Sequence, residues 1–546
     1  GGSFGTHRVS ATGTLELGDN GAFVRAYGFL DLSDNSFVSQ QDVVDSETLQ
    51  VLEDQDVERF HDGYEGYGAS IEAGWLSHSE LGTLTVRGFV TGASQDIQQP
   101  IVPSSAIAYG EVERGRRSTG GQLRFDQILG PIRVFGAGGA TLLEDDFVDL
   151  SRCIYDWFGN CQRERADELL GESGEATDST QRTVAAYARL SAELELLKGH
   201  RVRLSIAPTL TQIDGEFRTD RETAQTLQVT ADRSLLSAVI GLEYDFALFS
   251  ERWTTNAFGK WYGLEGQTDV PESVLGSRTE FDVSTFGAGT VTRLRLAGPL
   301  DAEASYEFAT RLPNPSEYFG TPGAIQPNTN LEPETAHNFN LGLKLNPWNT
   351  SIGSFRGEVN GFMRDTSNLI RLEAAASIFF RYGNVTSARS LGGEAALGWT
   401  SPGRYLNLNG SLTYMDYRNT SDSGRDAAFN GDRIPNAPYL FGSGTVRFRF
   451  SEILQKSDTV ELSYSTRFVE EFFLTWESAG EAEFKRRIET QIEASVNLGY
   501  RFEVLDQSAA VAVDVQNVFD ERLFDFFGIQ RPGRAVFVRV SMDALL

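Results

Sequence analysis

The chain has 546 residues, with 76 acidic and 48 basic side chains and a formal net charge of −28. This excess of negative charge would repel a phosphate backbone, which excludes nucleic acid as a partner. No apolar run approaches the roughly 18 residues of a membrane-spanning helix, which excludes the helical class of membrane proteins. No Pro/Ser-rich linker or low-complexity tract divides the sequence, so residues 1–546 are predicted to form one unit.

The dominant pattern along the chain is a period-two alternation of apolar and polar residues, which is typical of β-strands. In AVAVDVQNVF (510–519), Val511, Val513 and Val515 share one face, and Asp514 lies on the other. The pattern recurs from end to end, with no second hydrophobic layer to cover the apolar faces. Lipid is the natural cover for them, with a polar lumen inside. The chain is therefore predicted to be all-β, a transmembrane antiparallel β-barrel.

The alternation predicts 21 strands along the chain. In chain order they cover residues 4–17, 21–33, 63–77, 82–94, 118–129, 131–144, 181–197, 201–213, 232–249, 252–266, 280–297, 300–311, 335–346, 352–366, 384–400, 404–418, 437–450, 458–471, 487–502, 508–523 and 534–544. Short turns such as GDNG (18–21) and KGH (198–200) alternate with long polar segments. The long segments lie near 34–62, 94–117, 145–180, 214–231, 267–279, 312–334, 367–383, 419–436 and 472–486. Outer-membrane barrels have short periplasmic turns and long extracellular loops, so the long segments are predicted to be extracellular.

The only two cysteines, Cys153 and Cys161, lie within the polar segment 145–180. A close pair in a predicted surface loop indicates a local disulfide and an oxidising compartment. Two free thiols are the alternative. A zinc site is disfavoured because none of the five histidines lies nearby. The sequence predicts no metal site and no cofactor.

Five short stretches carry a family resemblance. They are PSEYFG (315–320), NTNLEPE (328–334), YGNVTSARSLGGEAAL (382–397), VQNVFDERLF (515–524) and RPGRAVFVRV (531–540). In this order they resemble the signatures of TonB-dependent outer-membrane receptors, and the resemblance extends over essentially the whole chain. The chemistry of these stretches is structural: Pro333, for example, cannot donate a ladder hydrogen bond and helps to fix where strand pairing starts.

The resemblance implies transport across the outer membrane of a Gram-negative bacterium. The expected ligand is scarce and too large for porins, such as a ferric siderophore, cobalamin or an oligomer. The expected partners are outer-membrane lipid, this small-molecule or oligomeric ligand, and a TonB-type energy-coupling protein that acts through a plug domain inside the barrel.

The sequence departs from the family in what precedes the barrel. Residues 1–546 contain no plug domain, and the family's barrel has twenty-two strands. GGSFGTHRVSATG (1–13) resembles the stretch that leads from the first extracellular loop into the second strand. We therefore expect the plug and the first strand to come from a separate fragment or a second chain. The edges of strands 4–17 and 534–544 are expected either to form a parallel seam or, preferentially, to hold that strand.

Candidate ligand contacts are aromatic residues of the predicted extracellular loops, because exposed aromatic rings anchor rigid ligands. They are Tyr155, Trp157, Phe158, Tyr318, Phe319, Phe379, Phe380 and Trp476. The alternative for each is a place in an interfacial girdle or in packing between loops.

An enzyme is not predicted. The sequence has no H-E-x-x-H, C-x-x-C or P-loop pattern, and no Ser or Asp/His constellation can be assembled from it. The main competing hypothesis is a barrel without a plug that serves as a structural or partner-binding component of an outer-membrane assembly. A passive pore is the third.

Overall fold

The structure is a computed structural model. It describes residues 1–543 except 19–20, 46–47, 49, 77–81, 101–106, 166–169, 175, 219–228, 271–278, 322–324, 375–379, 386, 481–484, 486 and 526–528. The short helices are α1 (Pro315–Phe319) and the 3₁₀ helices Pro402–Arg404 and Arg425–Phe429. In this part of the chain no helix has the length and apolarity needed to cross a bilayer.

The remaining regular structure is β. The strands are β1 (His7–Glu16), β2 (Ala22–Ser33), β3 (Val38–Val44), β4 (Val51–Glu58), β5 (Tyr64–Leu76), β6 (Thr83–Asp96), β7 (Glu113–Leu129), β8 (Ile132–Asp149), β9 (Cys153–Tyr155), β10 (Cys161–Glu164), β11 (Thr177–Leu197), β12 (His200–Phe217), β13 (Arg233–Leu248), β14 (Trp253–Thr268), β15 (Glu280–Ala297), β16 (Leu300–Arg311), β17 (Ile325–Gln326), β18 (Glu334–Thr350), β19 (Gly353–Ser367), β20 (Leu369–Ala374), β21 (Phe380–Val385), β22 (Ala388–Thr400), β23 (Leu406–Asn419), β24 (Leu440–Ser451), β25 (Thr459–Val469), β26 (Phe472–Phe473), β27 (Arg487–Ile488), β28 (Gln491–Val504), β29 (Gln507–Gln516) and β30 (Ala535–Asp543).

The long strands form one antiparallel sheet of 21 strands within the described residues, each paired with the next along the chain. The short strands β3, β4, β9, β10, β17, β20, β21, β26 and β27 lie in the long connections and form small separate sheets. The predicted strand count and the predicted alternation of short and long connections are both confirmed. A meander of this kind needs only short turns at one end, which leaves the other end free to carry large loops.

The two faces of the sheet differ as the period-two pattern predicts. On β13, Leu236, Ile240 and Leu242 are exposed on the outer face, a surface suited to lipid. On the inner face, the Arg203 guanidinium lies 2.5 Å from the Glu193 carboxylate and 3.0 Å from that of Glu243. The lumen is therefore polar and charged.

Aromatic residues mark two levels on the outer face. Trp253 and Trp348 are exposed near the short turns, and Trp261, Phe286 and Phe339 are exposed nearer the long loops. Girdles of this kind form at the two membrane interfaces of outer-membrane barrels. Outer-membrane barrels have short periplasmic turns and longer extracellular loops, which assigns the short turns to the periplasm and the long loops to the exterior.

The first residues differ from the prediction of a strand over 4–17. Phe4 and Gly5 have φ angles of 59° and 63°, so the chain turns there and β1 begins only at His7. Before this turn, the Ser3 amide donates to the Val536 carbonyl at 2.9 Å and the Val538 amide donates to the Gly1 carbonyl at 2.9 Å. Residues 1–3 thus lie antiparallel to β30. Over the described residues, β1 is paired with β2 and shares no ladder with β30.

Candidate functional site

The connection between β16 and β18 folds into the extracellular mouth of the barrel. Within it, α1 begins with a capping box, in which the Asn314 side chain accepts from the Glu317 amide and the Glu317 side chain accepts from the Asn314 amide. This cap satisfies backbone donors at the helix start that would otherwise have no partner. The short helix presents Tyr318 and Phe319, which are 0% and 1% exposed.

The two rings pack on the inner face of the barrel wall. Phe281 of β15 lies 4.5 Å from Tyr318, centroid to centroid. Residues from four neighbouring strands complete this cluster with the loop: Ile213, Leu235, Leu264, Phe281, Leu331 and Ile370. Tyr318 and Phe319, both predicted ligand contacts, are thus covered by protein in this structure. Their role as ligand contacts stays a prediction.

A second set of loops is organised around the two cysteines. Cys153 and Cys161 are joined by a disulfide between β9 and β10, which confirms the predicted bond. Trp157, between the two cysteines, is 1% exposed. It packs with Val43 and Val57 of the β3–β4 hairpin and with Ala108. The disulfide hairpin and the first extracellular loop therefore form one folded unit, here called the disulfide subdomain (the described residues of 34–62, 107–112 and 150–174).

Two buried carboxylates connect the segments of the disulfide subdomain. Asp149, at the end of β8, accepts hydrogen bonds from the amides of Glu172 and Ser173 at 2.6 and 2.7 Å. The Glu172 carboxylate in turn accepts from the amides of Gly110 and Glu111 at 2.9 and 2.8 Å. Burial raises the pKa of Glu172, although the backbone hydrogen bonds act in the opposite direction. Sequence analysis missed both residues, since nothing in the spacing of a polar loop indicates which carboxylate is buried.

The remaining predicted contacts of this subdomain lie nearer the solvent. Phe158 is 54% exposed. The Tyr155 hydroxyl donates to Glu111 at 2.6 Å, and this hydrogen bond raises the pKa of Tyr155 to about 12. Phe60, which the sequence analysis missed, lies 6.2 Å from the Tyr155 ring and is also exposed. Gly159 (φ +80°) approaches Phe60 so closely that an added Cβ would lie 3.1 Å from the ring. Phe60 and Phe158 are exposed and Tyr155 is half-buried, and these three aromatic residues of the disulfide subdomain are here called the platform.

A third group of loops meets at Trp476. The Trp476 ring stacks on Phe429 with centroids 5.1 Å apart and an interplanar angle of 6°. The Arg371 guanidinium lies over the same ring, 5.5 Å from its centroid. Trp476, Phe429 and Arg371 come from three different loops, so the predicted contact Trp476 is a junction between loops. Phe380 is half-buried at the start of β21, and Phe379 lies outside the described residues.

A cavity of about 580 Å³ lies against the inner wall formed by β14–β23. Its lining includes the aromatic and thioether side chains of Phe258, Phe362 and Met415. It also includes the charged pair Lys260 and Glu307, at 3.4 Å. A cavity lined by both apolar and charged side chains can hold a ligand that has both apolar and polar surfaces. In the part of the chain that the structure describes, no group of three or more His, Cys, Asp or Glu residues is placed to hold a metal ion.

A family model described as "TonB dependent receptor-like, beta-barrel" matches residues 155–518. No curated protein matches the chain.

Solved structures share the architecture. The copper transporter OprC has a TM-score of 0.72 at 14% identity, and the match covers 99% of this chain and 78% of OprC. The FrpB iron transporter from Neisseria meningitidis (F3-3 variant) has a TM-score of 0.70 at 11% identity, with 99% and 79% covered. The siderophore receptor PiuA from Acinetobacter baumannii has a TM-score of 0.68 at 12% identity, with 99% and 80% covered. At these identities the likeness establishes the fold.

Proposed function

The chain belongs to the TonB-dependent receptor-like β-barrel family, and on that premise we propose that it is the barrel through which a scarce metal chelate of the siderophore class is taken up. Membership of the family makes the protein a component of the outer membrane of a Gram-negative bacterium. Family membership is established by the match to the family model, whereas the class of ligand is our proposal.

The cavity at the mouth is the observation that carries the proposal. Its volume of about 580 Å³ lies within the usual range of about 300–1,000 Å³ for pockets that hold drug-sized molecules. The loops at this end of the barrel are folded, and three buried apolar clusters hold them. A passive pore needs no such folded loops, whereas capture of one particular ligand does. The proteins of similar fold are named for copper, for iron and for a siderophore, which supports a metal-bearing ligand here.

The predicted aromatic contacts divide into two roles in this proposal. The exposed Phe158 is proposed to contact the ligand, together with the half-buried Tyr155, Phe380 and Trp476. Trp157, Tyr318 and Phe319 are buried and are proposed to hold the loops in shape around the site. Phe379 remains a predicted ligand contact.

The open edges of the barrel support the expected further strand. Backbone groups left without partners in lipid cost several kcal/mol each, so the edges of β1 and β30 need a partner in the membrane. Residues 1–3 already lie antiparallel to Val536–Val538 of β30. We propose that a strand from a polypeptide segment outside these 546 residues continues this pairing and fills the space between β30 and β1. A plug domain joined to that strand would fill the lumen and contact TonB.

The ligand class is tested by equilibrium binding of iron and copper chelates to the purified protein. Phe158→Ala should weaken binding about tenfold, the loss expected for one aromatic contact. Phe249→Ala is the matched control, since Phe249 is also highly exposed but lies on a periplasmic turn. Failure of every iron and copper chelate to bind would contradict the proposed ligand class.

A further inference from the structure

A shallow groove of about 780 Å³ crosses the outer face of the barrel between β13 and β16. Its floor consists of four small exposed residues on two neighbouring strands: Ala257 and Gly259 of β14, and Ala288 and Thr290 of β15. Larger side chains stand on both sides of this floor: Leu242 and Tyr244 of β13, and Tyr306 and Phe308 of β16. A Cβ added at Gly259 would meet no atom within 4 Å, so the floor is open to the exterior.

The groove faces lipid and not the lumen. Leu242 is one of the exposed residues on the outer face of β13, and it pairs across the sheet with Gly259. Gly259 pairs with Ala288, and Ala288 pairs with Phe308. Residues that pair directly across a sheet point to the same face. Of the described residues that line the groove, none is Asp, Glu, Lys or Arg, although these residues make up 23% of the chain. The lining therefore suits hydrocarbon.

The groove has the depth of the outer leaflet. Its central row of paired residues comprises Leu242, Gly259, Ala288, Phe308 and His337. Leu242 lies in the periplasmic half of β13, whereas His337 lies close to the extracellular start of β18. With strands about 4.8 Å apart and tilted by about 40°, the row climbs about 12 Å towards the exterior. This climb is close to half of the hydrocarbon thickness of about 30 Å.

A hydrogen-bond donor stands at the upper end of the groove. His337 lies two positions outward from Phe339 of the upper aromatic girdle, which places it at the level of the lipid head groups. Its Nδ1 is 3.1 Å from the Tyr306 hydroxyl. With that hydroxyl donating to Nδ1, the ring proton lies on Nε2, which has no partner among the described residues. Asp365, which pairs with His337 across the sheet, is bound by Arg389 at 2.8 Å.

We propose that this groove holds one acyl chain of the phosphorylated glycolipid of the outer leaflet, lipid A, and that a head-group oxygen of the lipid accepts from His337. Hydrocarbon surrounds the whole exterior, so the hydrophobic effect cannot favour one position in the membrane. A depression can, because a chain that lies in it makes van der Waals contact on three sides.

Other occupants fit the groove less well. Both floor strands, β14 and β15, are hydrogen-bonded to a neighbour on each side, so no backbone group is free to pair with a partner strand. The flanking strands β13 and β16 are three strand spacings apart, about 14 Å between their backbones. Their large side chains narrow this gap, which leaves no room for a helix of about 10–12 Å diameter to reach the floor.

The groove is tested by native mass spectrometry of the purified protein in detergent, with lipid A titrated in. Saturable binding is expected. Gly259→Leu fills the floor and should weaken this binding about tenfold or more. Gly88→Leu is the matched control, because Gly88 pairs with the outward-facing Ile71 and has equally open space at its Cβ position. Binding that does not saturate, or that is equally strong in both variants, would identify unspecific surrounding lipid and overturn the proposal.

The head-group contact is tested in the same titration. His337→Phe keeps an aromatic ring but removes the donor, so binding of lipid A should weaken several-fold while the barrel stays folded, as resistance of its electrophoretic mobility to unheated detergent will show. Unchanged binding would overturn the assigned head-group contact.

A third measurement identifies the occupant in the native membrane. Protein extracted from the outer membrane with mild detergent should retain lipid A, and Gly259→Leu should retain less of it than Gly88→Leu. Retention of a phospholipid in its place would overturn the assignment to lipid A, and a second polypeptide lost only from Gly259→Leu would show that the groove binds protein.

Discussion

Glu172 lies buried between Asp149 at the end of β8 and the amides of Gly110 and Glu111, and its pKa is raised by that burial. A carboxyl group with a raised pKa binds its proton more tightly in the folded loop than in the unfolded loop. By linkage, the folded loop is most stable at low pH. Its stability falls as the pH rises above the unfolded pKa and levels off above the folded pKa.

The first prediction follows from this decrease in loop stability with rising pH. The amides of Gly110 and Glu111, which donate to Glu172, should be better protected from hydrogen exchange at mildly acidic pH than at neutral pH, after correction for intrinsic rates. Glu172→Gln cannot ionise and should abolish this pH dependence. Glu53→Gln alters an exposed carboxylate of the same subdomain and should leave it in place. Loss of protection on acidification of the unaltered protein would show that the linkage has the opposite sign.

The second prediction separates the buried aromatics from the exposed ones. Tyr318→Ala removes a fully buried ring that contacts Phe281, and it should destabilise the inserted loop by about 3–5 kcal/mol. Limited proteolysis within 312–333 should therefore accelerate. Phe158→Ala, on the exposed platform, should leave the cleavage rate unchanged. Equal protease resistance of Tyr318→Ala and the unaltered protein would mean that the loop does not depend on this packing.

The predicted aromatic residues show that the sequence does not reveal which individual loop side chains are exposed and which are buried. The sequence identified the loops that carry Phe158 and Tyr318, yet one ring is exposed and the other is covered. Exposure depends on whether a loop folds into or away from the barrel, and the pairing of Tyr318 with Phe281 joins residues distant in the chain.

Among the elements, the hairpin β9–β10 depends most on a single covalent link. Its two cysteines are separated by 8 positions, and closing so short a loop should stabilise the hairpin by about 2–3 kcal/mol. The Cys153→Ser/Cys161→Ser double variant should thus expose Trp157 and speed hydrogen exchange in residues 150–165. Barrel strands such as β13 should keep their exchange rates. In the unaltered protein, alkylation of both thiols without prior reduction would contradict the bond.

Elements of the barrel were more predictable than the loops that join them. Strands such as β29 follow directly from the alternation of Val511, Val513 and Val515, because lipid and lumen impose opposite polarity on the two faces. The short strands β3, β4, β20 and β21 were missed, since they form small sheets within polar loops and carry no such two-sided constraint. The start of β1 was misplaced by three residues because the left-handed turn at Phe4 was not recognised.

The whole molecule combines an apolar exterior, a charged lumen with a cavity on its inner wall, and folded loops at one end. The period-two pattern predicts the first two features, since they repeat along every strand. The cavity is lined mainly by inner-wall residues of β14–β23, which only the strand register brings together, and it was not predicted as a site. The additional strand proposed between β30 and β1 would complete the barrel as a whole. Protein isolated from its native membrane should contain a segment paired with both β1 and β30, and a structure with these two strands hydrogen-bonded to each other would exclude it.

Measurement of energy-dependent uptake tests the proposed transport function most directly. Cells that carry this protein in their outer membrane are given a radiolabelled ferric chelate, with and without an agent that collapses the proton gradient of the inner membrane. If the protein is a TonB-dependent transporter, uptake should saturate with concentration, require TonB and stop when the gradient collapses. Uptake that rises linearly with concentration and continues after the collapse would contradict it and would identify a passive pore.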